Sequence, residues 1–210
     1  MPQTVLLIFE IIGTVAFALS GAMTAIRKKM DIFGIIILGI ITEVGGGVIR
    51  DMVLGNTPPL TFKNPIYAVI AIITSVITFL PFVRKAAFKA QHIFDTMLLY
   101  IDSLGLAVFT VVGIQTAILF TDDFNFWLLL FVGVITGTGG GVLRDVLAGD
   151  TPHIFVKHFY ATASLIGAMI CIILWKPIGS LFAMLAGAVV IMSLRICAAK
   201  FKWNLPKPEL

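Results

Sequence analysis

One pattern of glycines and charges occurs twice, each time near the end of a long apolar run. The first copy reads Gly-Gly-Gly-Val-Ile-Arg-Asp over 45–51, followed by Gly-Asn-Thr-Pro over 55–58. The second reads Gly-Gly-Gly-Val-Leu-Arg-Asp over 139–145, followed by Gly-Asp-Thr-Pro over 149–152. Glycine weakens a helix, and charged side chains are costly inside lipid. Their duplication in register therefore indicates a function.

The composition places the chain in a membrane. Of the 210 residues, 59% are hydrophobic and only 12% are charged, and the mean hydropathy is +1.06. A soluble domain needs a more polar surface than this. We therefore interpret the net charge of +4 as topological bias and expect no nucleic-acid partner. The first apolar run lacks signal-peptide features and is expected to be a retained span.

Apolar runs of membrane-crossing length, about 20 residues, predict seven transmembrane helices. Their approximate bounds are 5–26, 33–53, 65–83, 94–120, 126–147, 160–175 and 178–198. The predicted fold class is therefore an all-α integral membrane protein, with one transmembrane domain over 1–210.

Lysine and arginine concentrate on one side of this predicted arrangement. The other side has only Lys63 and Lys176, together with the acidic pair Asp122 and Asp123. This asymmetry predicts an N-terminus outside the cell and a C-terminus in the cytoplasm. The basic residues assigned to the cytoplasmic side are Arg27, Lys28, Lys29, Arg84, Lys85, Lys89, Lys157, Arg195, Lys200, Lys202 and Lys207.

Spans one to three correspond to spans four to six. Glu10, Gly13, Phe17 and Gly21 align with Asp102, Gly105, Phe109 and Gly113. Since three spans are an odd number, the two copies cross the membrane in opposite senses, and a site is expected near their interface. The predicted bounds are about 4–83 for repeat one, 94–175 for repeat two and 178–198 for the seventh helix.

The glycine triplets have two interpretations. They can unwind or kink their helices, so that backbone carbonyls face a permeating ion or substrate. They can instead allow two helices to pack closely. We favour the first, because both triplets are followed by the same charged residues. The predicted pore or kink residues are Gly45, Gly46, Gly47, Gly139, Gly140 and Gly141, with Thr42 and Thr136 beside them.

Charged residues in or near the spans are the other candidates. Arg50 with Asp51, and Arg144 with Asp145, are predicted to form a gate at each mouth or structural ion pairs. Glu43 has no acidic mate, because Gly137 occupies its place in repeat two, and an ion pair with Arg50 is its alternative role. The predicted cation-attracting residues are Glu10, Glu43 and Asp102.

No enzyme, cofactor or metal site is expected. Cys171 and Cys197 lie in apolar runs and are interpreted as small buried hydrophobic residues. His92, His153 and His158 lie in predicted loops or at span ends, without the clustered partners that a metal requires. No catalytic nucleophile with its base is evident, and neither triplet has the Gly-Lys-Ser/Thr sequel of a phosphate-binding loop.

The doubled motif in a seven-span inverted repeat resembles the trimeric intracellular cation channel family, in its prokaryotic form. The resemblance covers about the whole chain. It implies a homotrimer in the cell membrane, surrounded by lipid, with a pore in each protomer that passes chiefly potassium. It also implies that the two triplets are kinks in the pore-lining helices, with Arg50, Asp51, Arg144 and Asp145 beside the pore.

One part of the sequence departs from the animal members of that family. They carry Lys-Glu-Val-x-Arg near the fifth span, whereas residues 140–144 here read Gly-Gly-Val-Leu-Arg. Only the valine and arginine match, which puts the phosphoinositide binding associated with that region in doubt here.

The sequence leaves a second function open. The doubled motif also resembles a bacterial membrane family with members assigned to glycine transport. In a carrier for a small zwitterion, an arginine or a helix N-terminus would take the carboxylate and an aspartate the ammonium group. A membrane scaffold is a third possibility, because small residues recur at helix-contact spacing. We prefer the potassium-permeable channel.

Overall fold

A computed structural model of the protein describes residues 3–83, 91–121, 124–156 and 159–203. The predictions for Arg84, Lys85, Lys89, Asp122, Asp123, Lys157, His158 and Lys207 lie outside the described residues. The helices are α1 Gln3–Arg27, α2 Ile32–Val53, α3 Leu60–Lys63, α4 Ile66–Phe79, α5 Gln91–Phe120, α6 Phe126–Leu147, α7 His153–Val156, α8 Tyr160–Ile178 and α9 Ser180–Lys200.

Six of the described helices are long and apolar enough to cross a membrane, namely α1, α2, α5, α6, α8 and α9. They correspond to six of the seven predicted spans. The remaining predicted span, 65–83, contains the apolar helix α4, which has only 14 residues. The count of seven and the orientation of the termini therefore stay predictions.

Helix α4 ends at Phe79, earlier than the sequence predicted. The next residue, Leu80, has an extended conformation with ψ of 137°. Pro81 follows it, and a residue before proline is driven out of the helical region by the proline ring. The predicted end at Val83 overlooked this proline.

The boundary between α8 and α9 also differs from the prediction. Helix α8 continues through Pro177 and ends at Ile178, and the chain turns at Gly179, where φ is +82°. Residues with side chains rarely adopt this φ, whereas glycine does so readily. The break is thus set by the glycine, and the seventh predicted span begins two residues later than expected.

The two glycine triplets lie within uninterrupted α-helix. Helices α2 and α6 each have 22 residues and include their triplets without a break. The prediction of an unwound turn at Gly45–Gly47 and at Gly139–Gly141 is therefore wrong, whereas a kink at these residues stays a prediction. Helix–helix packing, described next, offsets the poor helix propensity of three glycines.

The triplets let α2 and α6 cross in backbone contact. A side chain at Gly46 would overlap the carbonyl oxygen of Thr136, and one at Gly140 would overlap the carbonyl oxygen of Thr42. The two contacts are reciprocal, because Gly46 matches Gly140 and Thr42 matches Thr136 in the aligned repeats. They are the contacts expected where two inverted repeats meet about a local two-fold axis.

A second reciprocal contact joins α1 to α5. The ring of Phe17 packs where a side chain at Gly105 would lie, and the ring of Phe109 packs against Gly13. The two phenylalanine rings contact each other at an interplanar angle of 48°, with centroids 5.2 Å apart. The bundle centre is therefore filled by one aromatic side chain from each repeat.

Candidate functional site

A cavity of about 200 Å³ opens beside the second half of α2. We call it the α2 cavity. Its polar lining residues are Glu10 and Thr14 of α1, Glu43 and Arg50 of α2, Tyr67 of α4, and Thr61, Lys63 and Asn64 at and after α3. Phe109 of α5 also lines it and is backed by the buried ring of Phe17. The cavity thus reaches the aromatic pair at the bundle centre.

The first Arg–Asp pair ties the end of α2 to the chain that follows. The Arg50 Nε donates a 2.8 Å hydrogen bond to Oδ1 of Asp51. The other oxygen of Asp51 accepts a 2.7 Å bond from the backbone N–H of Leu60, at the start of α3. Both charged side chains are buried. Asp51 therefore neutralises Arg50 and also fixes the loop at the mouth of the cavity.

Two carboxylates line the α2 cavity. The hydroxyl of Tyr67 donates to Oε2 of Glu10. The hydroxyl of Thr14 donates a 3.2 Å bond to Oε1 of Glu43. The hydrogen bonds that the structure gives these two residues go elsewhere, from the Arg50 guanidinium to Asp51 and from Thr14 to the Glu43 carboxylate.

The corresponding region of repeat two is a closed cluster of charges, which we call the α6 cluster. Arg144 has 0% of its surface exposed and binds Asp102 through Nη1 at 2.5 Å. Its Nε donates a 2.9 Å bond to Asp145, and its Nη1 also donates to the Ser20 hydroxyl of α1. The cluster consists of Ser20, Asp102, Arg144, Asp145, Tyr160 and Arg195.

Asp145 plays the same double role as Asp51. Its Oδ2 accepts a 2.8 Å bond from the backbone N–H of His153 at the start of α7. Both glycine helices then end in the same way, with Gly55 and Gly149 at φ of +71°. The repeated Gly and Asp residues of the sequence motif are therefore explained by matched helix ends.

Arg195, which the sequence predicted to lie on the cytoplasmic side, is a buried member of the α6 cluster. It lies within α9, and 2% of its surface is exposed. Its Nε donates a 3.2 Å bond to the Ser103 hydroxyl, and its Nη2 lies 3.7 Å from Asp102. The guanidinium also stacks over the ring of Tyr160, 4.6 Å from its centroid. The seventh predicted span thus helps to close repeat two.

The two ends of the bundle hold equivalent residues in different arrangements. Arg144 binds Asp102, whereas Glu10, the repeat mate of Asp102, binds Tyr67. The first arrangement fills the space between the helices, and the second borders a cavity. The two repeats match in sequence at these positions, but their side chains make different contacts: one set forms a closed ion-pair cluster and the other borders a cavity.

The threonines beside the triplets bond to their own helices. Thr42 donates to the carbonyl of Leu38 at 2.6 Å, and Thr136 donates to the carbonyl of Val132 at 2.6 Å. Their carbonyls, rather than their hydroxyls, form the helix crossing. This is the ordinary behaviour of threonine inside a membrane helix.

Tyr67 and Tyr160 were missed by the sequence prediction. A signal for them exists, because the repeat continues past its Thr-Pro step and reaches Tyr-Ala at 67–68 and again at 160–161. Repeat two is one residue shorter in between, which hides the match in an ungapped alignment. Thr14 and Ser20 carry no comparable signal.

Among the described residues, no three His, Cys, Asp or Glu side chains lie close enough together to hold a metal ion. Cys171 is buried and Cys197 is half-buried, and both are free thiols. The chemistry available at the candidate site is therefore that of carboxylates, hydroxyls and neutralised guanidinium groups.

Known proteins similar to this chain are membrane proteins. A family model described as "Glycine transporter" matches residues 7–82 and 99–176. The UPF0126 inner membrane protein YadS of Escherichia coli is 37% identical over 201 residues, which are 94% of this chain and 93% of YadS. With six apolar helices of membrane-spanning length, the chain is a multi-pass protein of the cell membrane.

Solved structures of TRIC channels share the fold. One, from work on conductance through TRIC cation channels, has a TM-score of 0.82 and 35% identity and covers 97% of both chains. The trimeric intracellular cation channel orthologue from Rhodobacter sphaeroides has a TM-score of 0.86 and 34% identity, covering 96% of this chain and all of its own. The chain belongs to the TRIC family, in its prokaryotic branch.

Proposed function

We propose that the protein is a channel for monovalent cations, chiefly potassium, that works as a homotrimer with one pathway through each protomer. Its solved neighbours are described as cation channels, and the Rhodobacter sphaeroides protein as trimeric. The proposed activity is transport of an ion without chemical change, so it needs neither a catalytic group nor a cofactor.

The α2 cavity is the observation that carries this proposal. It reaches from one end of the bundle to the aromatic pair at its centre, and two carboxylates line it. The arginine in its wall is bound to a buried aspartate and so repels a cation less than a free arginine would. A polar, carboxylate-lined path at this depth is costly in a membrane protein unless it is used.

The proposed pathway passes between the two repeats. It begins in the α2 cavity, passes the rings of Phe17 and Phe109, and leaves through the α6 cluster. In the arrangement described above, the rings and the ion pair of Arg144 with Asp102 both obstruct it. Opening then requires the rings to part and the cluster to loosen. The residues that line the proposed pathway are thus the same residues that close it in the resting state.

A flux assay with a site-directed block tests the proposal. Proteoliposomes loaded with potassium chloride are diluted into N-methyl-D-glucamine chloride, and a protonophore couples potassium efflux to a fluorescent readout of proton entry. Thr61→Cys places a thiol in the cavity wall. Phe62→Cys, the adjacent matched control, places one on a side chain that is 72% exposed.

The expected result is potassium efflux that a cationic thiol reagent inhibits in Thr61→Cys, with little effect in Phe62→Cys or the wild-type protein. Efflux that is absent from the wild type, together with saturable exchange of labelled glycine, would support the zwitterion carrier instead. Equal inhibition of both cysteine variants would indicate that the α2 cavity is not part of the ion pathway.

A further inference from the structure

Glu43 occupies an unusual position for a carboxylate. It lies 11 residues after the first residue of α2, about 17 Å along the helix axis and so near its middle. Only 8% of its surface is exposed. Oε1 accepts a bond from Thr14, whereas Oε2 is buried with no hydrogen-bonding partner among the described residues. A buried acceptor left unpaired is costly, which points to a ligand at this atom.

The other charged groups of the cavity are already bound. Arg50 binds Asp51, Glu10 accepts from Tyr67, and Lys63 donates a 2.9 Å bond to Asn56 at the exposed rim. Tyr67 and Asn56 are neutral, so Glu10 and Lys63 keep their charges. Glu43 adds a negative charge in the deep part of the cavity, on a carboxylate that still has an unpaired oxygen among the described residues. That charge favours a cation over an anion or a neutral molecule.

Repeat two cannot supply a second carboxylate of this kind. Gly137 stands at the equivalent place, and a side chain there would overlap the hydroxyl of Thr110 and crowd the carbonyl oxygen of Leu106, 2.9 Å away. The local two-fold is therefore broken at this position by close packing. Each chain has room for this carboxylate in one repeat only.

We infer that Glu43 and Thr14 form a binding site for one partly dehydrated monovalent cation at the deep end of the α2 cavity. Glu43 Oε2 is the principal ligand, and the Thr14 hydroxyl orients the carboxylate. Oxygen ligands suit a hard cation, and the unpaired Oε2 of Glu43 is a negatively charged oxygen ligand of this kind. The inference rests on the proposed function, because it names where the permeating ion pauses.

The site has a measurable consequence besides conduction. A ligand that binds the folded protein raises its unfolding temperature as the ligand concentration rises. Purified protein in detergent is therefore heated in potassium chloride and, at equal ionic strength, in N-methyl-D-glucamine chloride. The variants are Glu43→Gln, which keeps the shape, and Asp95→Asn, which removes an exposed acid outside the cavity.

Potassium is expected to raise the unfolding temperature of the wild type and of Asp95→Asn. In Glu43→Gln the half-saturating potassium concentration should rise about tenfold or more, since a contact to a charged group is lost. Glu43→Asp keeps the charge and should retain a potassium response at a shifted concentration. If Glu43→Gln does not fold, the comparison of Glu43→Asp with the wild type provides the test.

Three outcomes would overturn the inference. One is an unfolding temperature that does not depend on potassium in the wild type. Another is an equal response in the wild type, Glu43→Gln and Glu43→Asp. The third is stabilisation by glycine but not by potassium, which would assign Glu43 to an ammonium group of a zwitterion. If potassium stabilises the protein but no potassium flux is measured, the proposed channel function is contradicted, whereas the proposed cation site is not.

Discussion

The carbonyl oxygen of Thr136 lies where a side chain at Gly46 would begin. The same relationship holds between Thr42 and Gly140, so the two triplets are packed against each other through their backbones. The first two glycines of each triplet are thus explained by the approach of the repeat-mate helix. The pathway that we propose runs beside this crossing and not through unwound carbonyls.

Replacing Gly46 by alanine is expected to destabilise the fold by about 1–3 kcal/mol, the usual cost of overpacking. Gly47 is the matched control in the same triplet. A side chain there would meet nothing closer than the Arg50 guanidinium at 3.7 Å, and alanine should be neutral or stabilise by up to about 1 kcal/mol. Thermal unfolding in detergent measures both. Equal losses at the two positions would contradict the packing role of Gly46.

Asp102→Asn is expected to cost about 3–5 kcal/mol, because it removes one partner of a buried ion pair. Arg144 and Arg195 both lose a counter-charge, although Asp145 still holds Arg144. Glu10→Gln, the repeat mate, should cost less, since Glu10 is half-buried and is hydrogen-bonded by a neutral tyrosine. The free energy of unfolding compares the two variants. A larger loss of unfolding free energy for Glu10→Gln than for Asp102→Asn would contradict the view that the α6 cluster is the more strongly paired of the two sites.

Phe109→Ala is expected to increase potassium flux several-fold in proteoliposomes. The change removes one of the two rings that meet at the bundle centre, 5.2 Å apart. Phe131→Ala is the control, because that side chain is exposed on the outside of α6. The comparison is made at equal reconstituted protein. Unchanged or reduced flux in folded Phe109→Ala would mean that the aromatic pair does not obstruct the pathway.

Stability should fall in acid through Asp150, which lies in the loop after α6. The hydrogen bond from Lys28, with the nearby charges of Lys28 and Arg27, lowers the pKa of Asp150 below its usual value. A group whose pKa is lower in the folded state stabilises the fold above its unfolded pKa, about 3.9 for aspartate. The stabilisation is lost as pH falls through the lower, folded value.

Unfolding temperatures measured from about pH 6 down to pH 3 therefore test the contact between Lys28 and Asp150. Asp150→Asn should flatten part of the acid decline, and high salt should flatten it too, since the pair is partly exposed and screened. Identical pH profiles for the wild type and Asp150→Asn would mean that this contact contributes nothing.

Much of the fold follows from the sequence alone. Apolar runs gave α2 and α6 to within one residue, because lipid requires long uninterrupted helices. The boundaries missed at Phe79 and Ile178 depend on Pro81 and Gly179. Both are local effects that a hydropathy window averages away.

The site was less predictable because side-chain pairing depends on how the repeats dock. The sequence placed Glu43 and Arg50 on one helix face, yet Asp51 takes the guanidinium and Thr14 the carboxylate. Arg195 is eight positions along the chain from Gly187, a helix-contact glycine, and its burial depends on Tyr160 and Asp102 from other helices. Periodicity within one helix contains no such information.

Single-channel recording tests the central claim most directly. Purified protein is fused into a planar bilayer with unequal potassium chloride on its two sides. We predict discrete unitary currents that reverse near the potassium equilibrium potential. A reversal near the chloride potential, or no unitary current from a preparation that takes up labelled glycine saturably, would contradict the claim that this protein is a cation channel.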